Sequence, residues 1–211
     1  QKFVSGAGPV ESRLIACETL DSLVAELRPP QAVIVLVPAG AAVDDITSQL
    51  RAVTGFRGVI IDGGNSDFHD TERRQQALTR SGISFLGMGV SGGAEGARHG
   101  PSIMVGGDQS AYKGVEKILT AISAKFEGDP CCAWLGPGGA GHFVKTIHNG
   151  IEYADMQMIA EIYAIMRDGL GMKAPDMAKV FDKWNSGKLN SYLIEITARI
   201  LAVLDSRTGR P

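Results

Sequence analysis

Along the first two thirds of the chain, short apolar runs alternate with segments whose apolar residues recur every three or four positions. Ala32-Val-Ile-Val-Leu-Val37 is short, continuous and β-branched, which predicts a buried strand. Val43, Ile46, Leu50 and Val53 then follow helical spacing, and Gly58-Val-Ile-Ile-Asp62 predicts a second strand ended by Gly63-Gly64-Asn65. A polar helix over 71–80 leads to a third strand, Ile83-Ser-Phe-Leu86. Ser102-Ile-Met-Val105 predicts a further strand, and Ala111, Val115, Ile118, Leu119 and Ile122 mark the next helix. Strand–helix alternation of this kind predicts an α/β layer with parallel strands.

After Trp134 the pattern becomes helical. A long periodic segment covers 140–167 and runs out near Gly169 and Gly171. Pro175 suits the first turn of another helix, and Leu193, Ile196, Ile200, Leu201 and Leu204 line a third. The change of period places a domain boundary near Gly138, dividing the chain into 1–138 and 139–211.

Composition adds bounds rather than identity. With 44% hydrophobic and 21% charged residues, the chain can bury a sizeable core. A net charge of −2 supports neither a nucleic-acid partner nor a membrane surface, since both usually call for a basic face. No apolar run approaches the roughly 20 residues that span a bilayer. Cys17, Cys131 and Cys132 make no disulfide framework, and the adjacent pair lacks metal-ligand spacing. No metal is therefore expected, and a reducing compartment, the cytoplasm, is favoured.

Three motifs bear on chemistry. Gly136-Pro-Gly138-Gly-Ala-Gly141 has the letters of a dinucleotide-binding turn. It follows several strands and precedes one long helix without a second strand, so a flexible helix entry is the better reading. Lys145, His148, Asn149 and Glu152 stand at i, i+3, i+4 and i+7 and share one helical face, with Tyr153 beside them. The lysine and the glutamate are about 10 Å apart along the axis, a span that could flank a small molecule. A solvated polar face is the competing reading. The apolar neighbours Phe143, Val144, Ile147 and Ile151 argue for a helix packed on much of its circumference. Gly89-Val-Ser91-Gly92-Gly93-Ala-Glu95-Gly96-Ala-Arg98 and Asp62-Gly-Gly-Asn65-Ser66 both follow strands. Small residues there leave backbone N–H groups open to an anion, and ligands in open α/β sheets bind off such strand ends.

Together with Leu189-Asn-Ser-Tyr-Leu-Ile-Glu-Ile-Thr197, these stretches resemble the 6-phosphogluconate dehydrogenases over nearly the whole chain. The most specific is Gly139-Ala-Gly-His-Phe-Val-Lys145-Thr-Ile-His148-Asn149-Gly-Ile-Glu152-Tyr153-Ala-Asp-Met-Gln157. The resemblance implies an incomplete Rossmann-like doubly wound domain followed by the first helices of an all-α domain. It implies Lys145 as the general base at the C3 hydroxyl of 6-phosphogluconate while hydride leaves for NADP. Decarboxylation of the 3-keto acid follows, and Glu152 is implied as the acid that protonates C1 of the enediol to give ribulose 5-phosphate. Lys145 must be neutral when it accepts its proton. Ser91, Gly92, Gly93, His148, Asn149 and Tyr153 match substrate-binding positions. Asn65 matches a residue between substrate and nicotinamide, and Val37-Pro38-Ala39 matches a cofactor-contacting loop. Lysine is usual in the family at position 38, and proline supplies neither its charge nor a backbone N–H.

The resemblance also implies a homodimer, with basic phosphate-binding residues and the dinucleotide-binding strand and turn outside residues 1–211. The expectation is thus a central fragment, inactive or nearly so by itself. Two other readings compete. A different β-hydroxyacid dehydrogenase, such as one acting on 3-hydroxyisobutyrate, would share the lysine and amide but has no use for an acid at C1. A non-catalytic protein could use the fold for binding or dimerisation, against which stand the intact Lys145, Asn149 and Glu152.

Overall fold

The computed structural model describes residue 4, residues 6–204 and residues 206–209. The chain divides into two compact units, Gln1–Thr146 and Ile147–Pro211. The first is built on a sheet of β1 (Ala32–Val35), β2 (Val59–Asp62), β3 (Ser84–Ser91), β4 (Ser102–Gly107) and β7 (Cys132–Gly136), in that spatial order. A small separate hairpin pairs β5 (Lys125–Phe126) with β6 (Asp129–Pro130). Helices α1 (Leu20–Glu26), α2 (Ala41–Ala52), α3 (Phe68–Thr79), α4 (Gly93–His99) and α5 (Gln109–Ile122) connect the strands.

The sheet is buried on two faces, as the continuous apolar runs predict. On one face Val35, Ile60 and Phe85 join Val24 of α1, Val43 and Leu50 of α2 and Leu78 of α3 in one core. On the other, Val59, Ile61, Leu86, Met88, Ile103 and Val105 pack against Ala111, Tyr112, Val115 and Leu119 of α5. Alternation along each strand therefore feeds two layers, the doubly wound arrangement.

The expected all-parallel layer needs one correction. β1, β2 and β3 are parallel, but β4 runs antiparallel to β3, with Gly87 opposite Gly106 and Ser91 opposite Ser102. A parallel crossover takes a dozen or more residues, and only the short α4 and its flanks lie between β3 and β4. The stretch read as a glycine-rich loop supplies both elements, since Gly89–Ser91 belongs to β3 and Gly93–His99 is α4. β7, running parallel to β4, and the β5–β6 hairpin had no clear apolar alternation to announce them.

Helix α6 (Ala140–Ala164) starts in the first unit and continues into the second, ending in a π-helical turn over Ile165–Gly169. In the second unit α7 (Ala174–Asn185) and α8 (Tyr192–Ala202) pack around Met166, Met177 and Phe181, with Ile159, Tyr163, Trp184, Ile194, Ala198 and Leu201 around them. Pro175 lies in the first turn of α7, where its missing N–H costs nothing. No helix among the described residues is long and apolar enough to cross a membrane.

Candidate active site

Because β1, β2 and β3 are parallel neighbours, the loops after them leave the same end of the sheet. Val37, Pro38 and Ala39 follow β1; Val37 packs on the core while Pro38 and Ala39 are exposed. The loop after β2 is tied to its own strand end. Asp62 is fully buried, and its carboxylate accepts from the Gly64 N–H at 3.0 Å and the Ser66 hydroxyl at 2.6 Å. This closure leaves Asn65 exposed between two anchored residues. The two loops also touch, since a Cβ on Gly64 would stand 3.3 Å from the Val37 carbonyl oxygen. Ser91 ends β3, Gly92 has φ +138°, and Gly93 has φ +56°. Only glycine reaches the first geometry without strain.

A charged cluster supports the Asp62 loop from below. Arg74 of α3 is buried, with its Nη1 3.7 Å from Asp62 and its Nε donating to Asp44 at 2.8 Å. Its Nη2 donates to the Gly40 carbonyl at 3.0 Å, which ties the start of α2 to α3. The Arg74 guanidinium, ahead of the opposing cost of burial, holds the Asp44 carboxyl down to a pKa of about 2.

Lys145 is buried, at 8% exposure, and the reason lies in β3. Gly87 and Gly89 alternate onto the face where α6 begins. A Cβ on Gly89 would lie 2.5 Å from Cβ of Lys145, and one on Gly87 would lie 2.8 Å from Nδ1 of His142. Gly141 is equally constrained: a Cβ there would stand 2.5 Å from the Met104 carbonyl oxygen and clash with that of Gly87. Glycines on β3, β4 and α6 let the first turns of α6 settle onto backbone. The 136–141 stretch is therefore a tightly fitted helix entry rather than a flexible one. The Gly141 packing is the role a glycine-rich turn gives its last glycine, close helix–strand approach.

Further along α6 the surroundings change. His148 Nδ1 is 3.2 Å from Asn149 Oδ1 and 3.6 Å from Glu152 Oε2. Glu152 is part-exposed and Tyr153 exposed. The expectation that Phe143, Val144, Ile147 and Ile151 are packed is not met, since all four are exposed. The core of the second unit forms farther along, at Ile159, Tyr163 and Met166, and does not reach back to those positions. Within the second unit, His148, Glu152, Asp155, Trp184, Lys188 and Tyr192 are among the residues lining a cavity of about 690 Å³.

Two family models match the chain: the NAD binding domain of 6-phosphogluconate dehydrogenase over residues 5–136, and the 6-phosphogluconate dehydrogenase C-terminal domain over 141–211. The chain belongs to the 6-phosphogluconate dehydrogenase family. It is 52% identical over 197 residues to the decarboxylating 6-phosphogluconate dehydrogenase of Drosophila melanogaster, covering 93% of this chain and 41% of the relative. It is 50% identical over 192 residues to the NAD(+)-dependent, decarboxylating enzyme of Bacillus subtilis, covering 91% of this chain and 41% of that one. A solved structure of Plasmodium falciparum 6-phosphogluconate dehydrogenase, studied in its apo form and in complex with NADP+ and with 6-phosphogluconate, superposes with a TM-score of 0.85 at 46% identity. That match covers 91% of this chain and 41% of the Plasmodium chain. The chain thus spans about two fifths of the length of the relatives it matches.

The site residues named from sequence fall into two groups. Asn65, Ser91, Gly92, Gly93 and the 37–39 loop belong with Lys145 to the first unit; His148, Asn149, Glu152 and Tyr153 follow in the second. Thr71, Arg74 and His142, which brace the Asp62 loop and the start of α6, were not singled out by the residue-level reading. A faint signal existed for His142, which precedes Lys145 by three residues and so shares its buried helix face. None existed for Thr71, whose Oγ1 reaches His142 Nδ1 at 2.7 Å from 71 positions away.

Proposed function

We propose that the native protein carrying this chain catalyses oxidative decarboxylation of 6-phosphogluconate to ribulose 5-phosphate, with NADP+ as the oxidant. One observation carries the reading. On a single continuous helix, a buried Lys145 precedes an accessible Glu152 by seven residues, in a chain about half identical to decarboxylating 6-phosphogluconate dehydrogenases.

Lys145 accepts the proton of the C3 hydroxyl, for which it must arrive neutral. Once the C3 ketone has formed, the protonated Lys145 donates to its oxygen. That draws in the electrons released as the C1 carboxylate departs as CO2. Glu152, about two helical turns on, protonates C1 of the enediol. His148 lies beside the Glu152 carboxylate and Asn149, a suitable place to orient substrate hydroxyls. Ser91, with the Gly92 and Gly93 backbone, offers hydrogen bonds to the substrate carboxylate.

The residues present fit one side of a dinucleotide. The Asp62-anchored loop presents the Asn65 amide at the carboxyl ends of parallel strands, where such cofactors bind. Asn65 and the 37–39 loop would hold it, and when bound it would supply the hydride acceptor. Preference for NADP+ over NAD+ is supported by the NADP+ complex of the Plasmodium relative, and the Bacillus subtilis relative supplies the contrast. A cytoplasmic homodimer is the setting the family implies.

The test is 6-phosphogluconate-dependent reduction of NADP+ and NAD+ by the native protein, with CO2 measured alongside. One CO2 per nicotinamide reduced, and faster turnover with NADP+, is expected. Reduction without CO2 would instead indicate a simple β-hydroxyacid dehydrogenase, and neither product from folded protein would overturn the enzyme reading.

A further inference from the structure

His142 is a buried polar group that the proposed chemistry leaves unused. It is 1% exposed, and its ring also lies against the backbone of Asp62 and Gly64. Nδ1 is 2.7 Å from Thr71 Oγ1, which is also 3.1 Å from the Asp67 carbonyl oxygen. Asp67 is the N-cap of α3, accepting from the His69 N–H at 2.8 Å, and it directly follows the Asp62–Ser66 loop that carries Asn65. A polar path thus runs from that loop through Asp67 and Thr71 to His142. From there to Lys145 is less than one turn of the same helix.

The sheet has been cleared for this path. Gly87 faces both ends of the Thr71–His142 contact: a Cβ there would lie 2.6 Å from Thr71 Cγ2 and 2.8 Å from His142 Nδ1. Gly89, two residues on, makes the matching space for Lys145. Rotation or rise of the helix over β3 would break the Thr71 contact. Burial lowers the His142 pKa, against the opposing pull of the Asp62 carboxylate, so the ring serves as a neutral strut rather than a second charge beside the lysine.

We infer that His142, clamped by Thr71, is a positioning residue that sets the placement of Lys145 over β3 and couples it to the loop bearing Asn65. The catalytic side of this inference rests on Lys145 being the base, as proposed above; the placement side does not. Thr71→Val removes the hydroxyl at nearly constant shape, and Thr71→Ser keeps it. His142→Asn retains a polar atom near the Nδ1 position and provides a second variant should Thr71→Val fail to fold.

The experiment has two arms. In lysine-labelled native protein, the Lys145 Cε resonance, assigned by its loss in Lys145→Met, should move in Thr71→Val and return in Thr71→Ser. The signals of Lys113 and Lys117 on α5 should stay in place. His142→Asn, which removes the ring itself, should displace the Lys145 signal as well. In the native protein, Thr71→Val should lower kcat on the order of tenfold to a hundredfold, the scale of a small misplacement of a reacting group, with KM for 6-phosphogluconate changed by less than about twofold. Thr71→Ser should restore kcat. A Lys145 signal unmoved by Thr71→Val and by His142→Asn would overturn the inference whatever the activity. Should the Lys145 signal respond in a native protein that does not turn over 6-phosphogluconate, the placement stands and the function assigned to it falls.

Discussion

The two parts of helix α6 have similar sequences of apolar and polar residues but bury their polar side chains to different depths. In the first, His142 and Lys145 are polar and buried, while Phe143 and Val144 beside them are exposed. In the second, Ile147 and Ile151 are exposed, and the polar His148 and Glu152 are only part-buried. The usual rule of apolar inside and polar outside is inverted in the first part. The cause lies on other elements: Gly87, Gly89 and Gly106 present no Cβ where the start of α6 meets the sheet. A buried lysine is therefore a property of the glycines on β3 and β4 as much as of the helix that carries it.

That contrast can be broken from the sheet side. Arg74→Leu should have the largest effect on stability, because it leaves Asp62 buried without its cation and frees the loop that holds Asn65. Loss of one partner of a buried pair typically costs about 3–5 kcal/mol, readable as a lower denaturation midpoint in urea. Gly141→Ala comes next. Its new methyl meets backbone on both β3 and β4, which cannot step aside, so a cost of about 1–3 kcal/mol is expected despite alanine's better helix propensity.

A pH series sharpens the same picture. Asp44 titrates near 2 in the folded chain against an ordinary value of 3.8, so its pairing with Arg74 stabilises the fold above about pH 4 and is lost as pH falls toward 2. Asp44→Asn should be less stable than the parent at neutral pH, and the difference should close between those limits. The smallest effect, of opposite sign, belongs to Gly150→Ala in the second part of α6. Nothing lies within 4 Å of the added methyl, so the helix should gain up to about 1 kcal/mol. Two glycine-to-alanine changes on one helix, one harmful and one helpful, would separate the environments directly.

Much of the first unit was legible because β1 and β2 are short β-branched runs and α2 and α5 have a clean period. Ala32–Val35, Val59–Asp62 and the stripe of Ala111, Val115 and Leu119 needed nothing else. The antiparallel β4 was not legible, because direction depends on connection length and on α4, which is too glycine-rich to read as a helix. Lys145 and Glu152 were singled out by spacing and resemblance, but what buries the one and leaves the other part-exposed was not legible. The burial depends on contacts such as Gly89 with Lys145 and Thr71 with His142, which join residues dozens of positions apart and leave no local period.

The central claim is that a buried base and an accessible acid on one helix perform successive proton transfers. Its most direct test is steady-state kinetics of the native protein with Lys145→Met and Glu152→Gln beside it, following both nicotinamide reduction and CO2. Loss of a general acid or base costs about 10²–10⁴ in rate. Both variants should fall by that order in kcat, with KM for 6-phosphogluconate changed far less. A folded variant of either residue that keeps the parent's kcat would contradict the account.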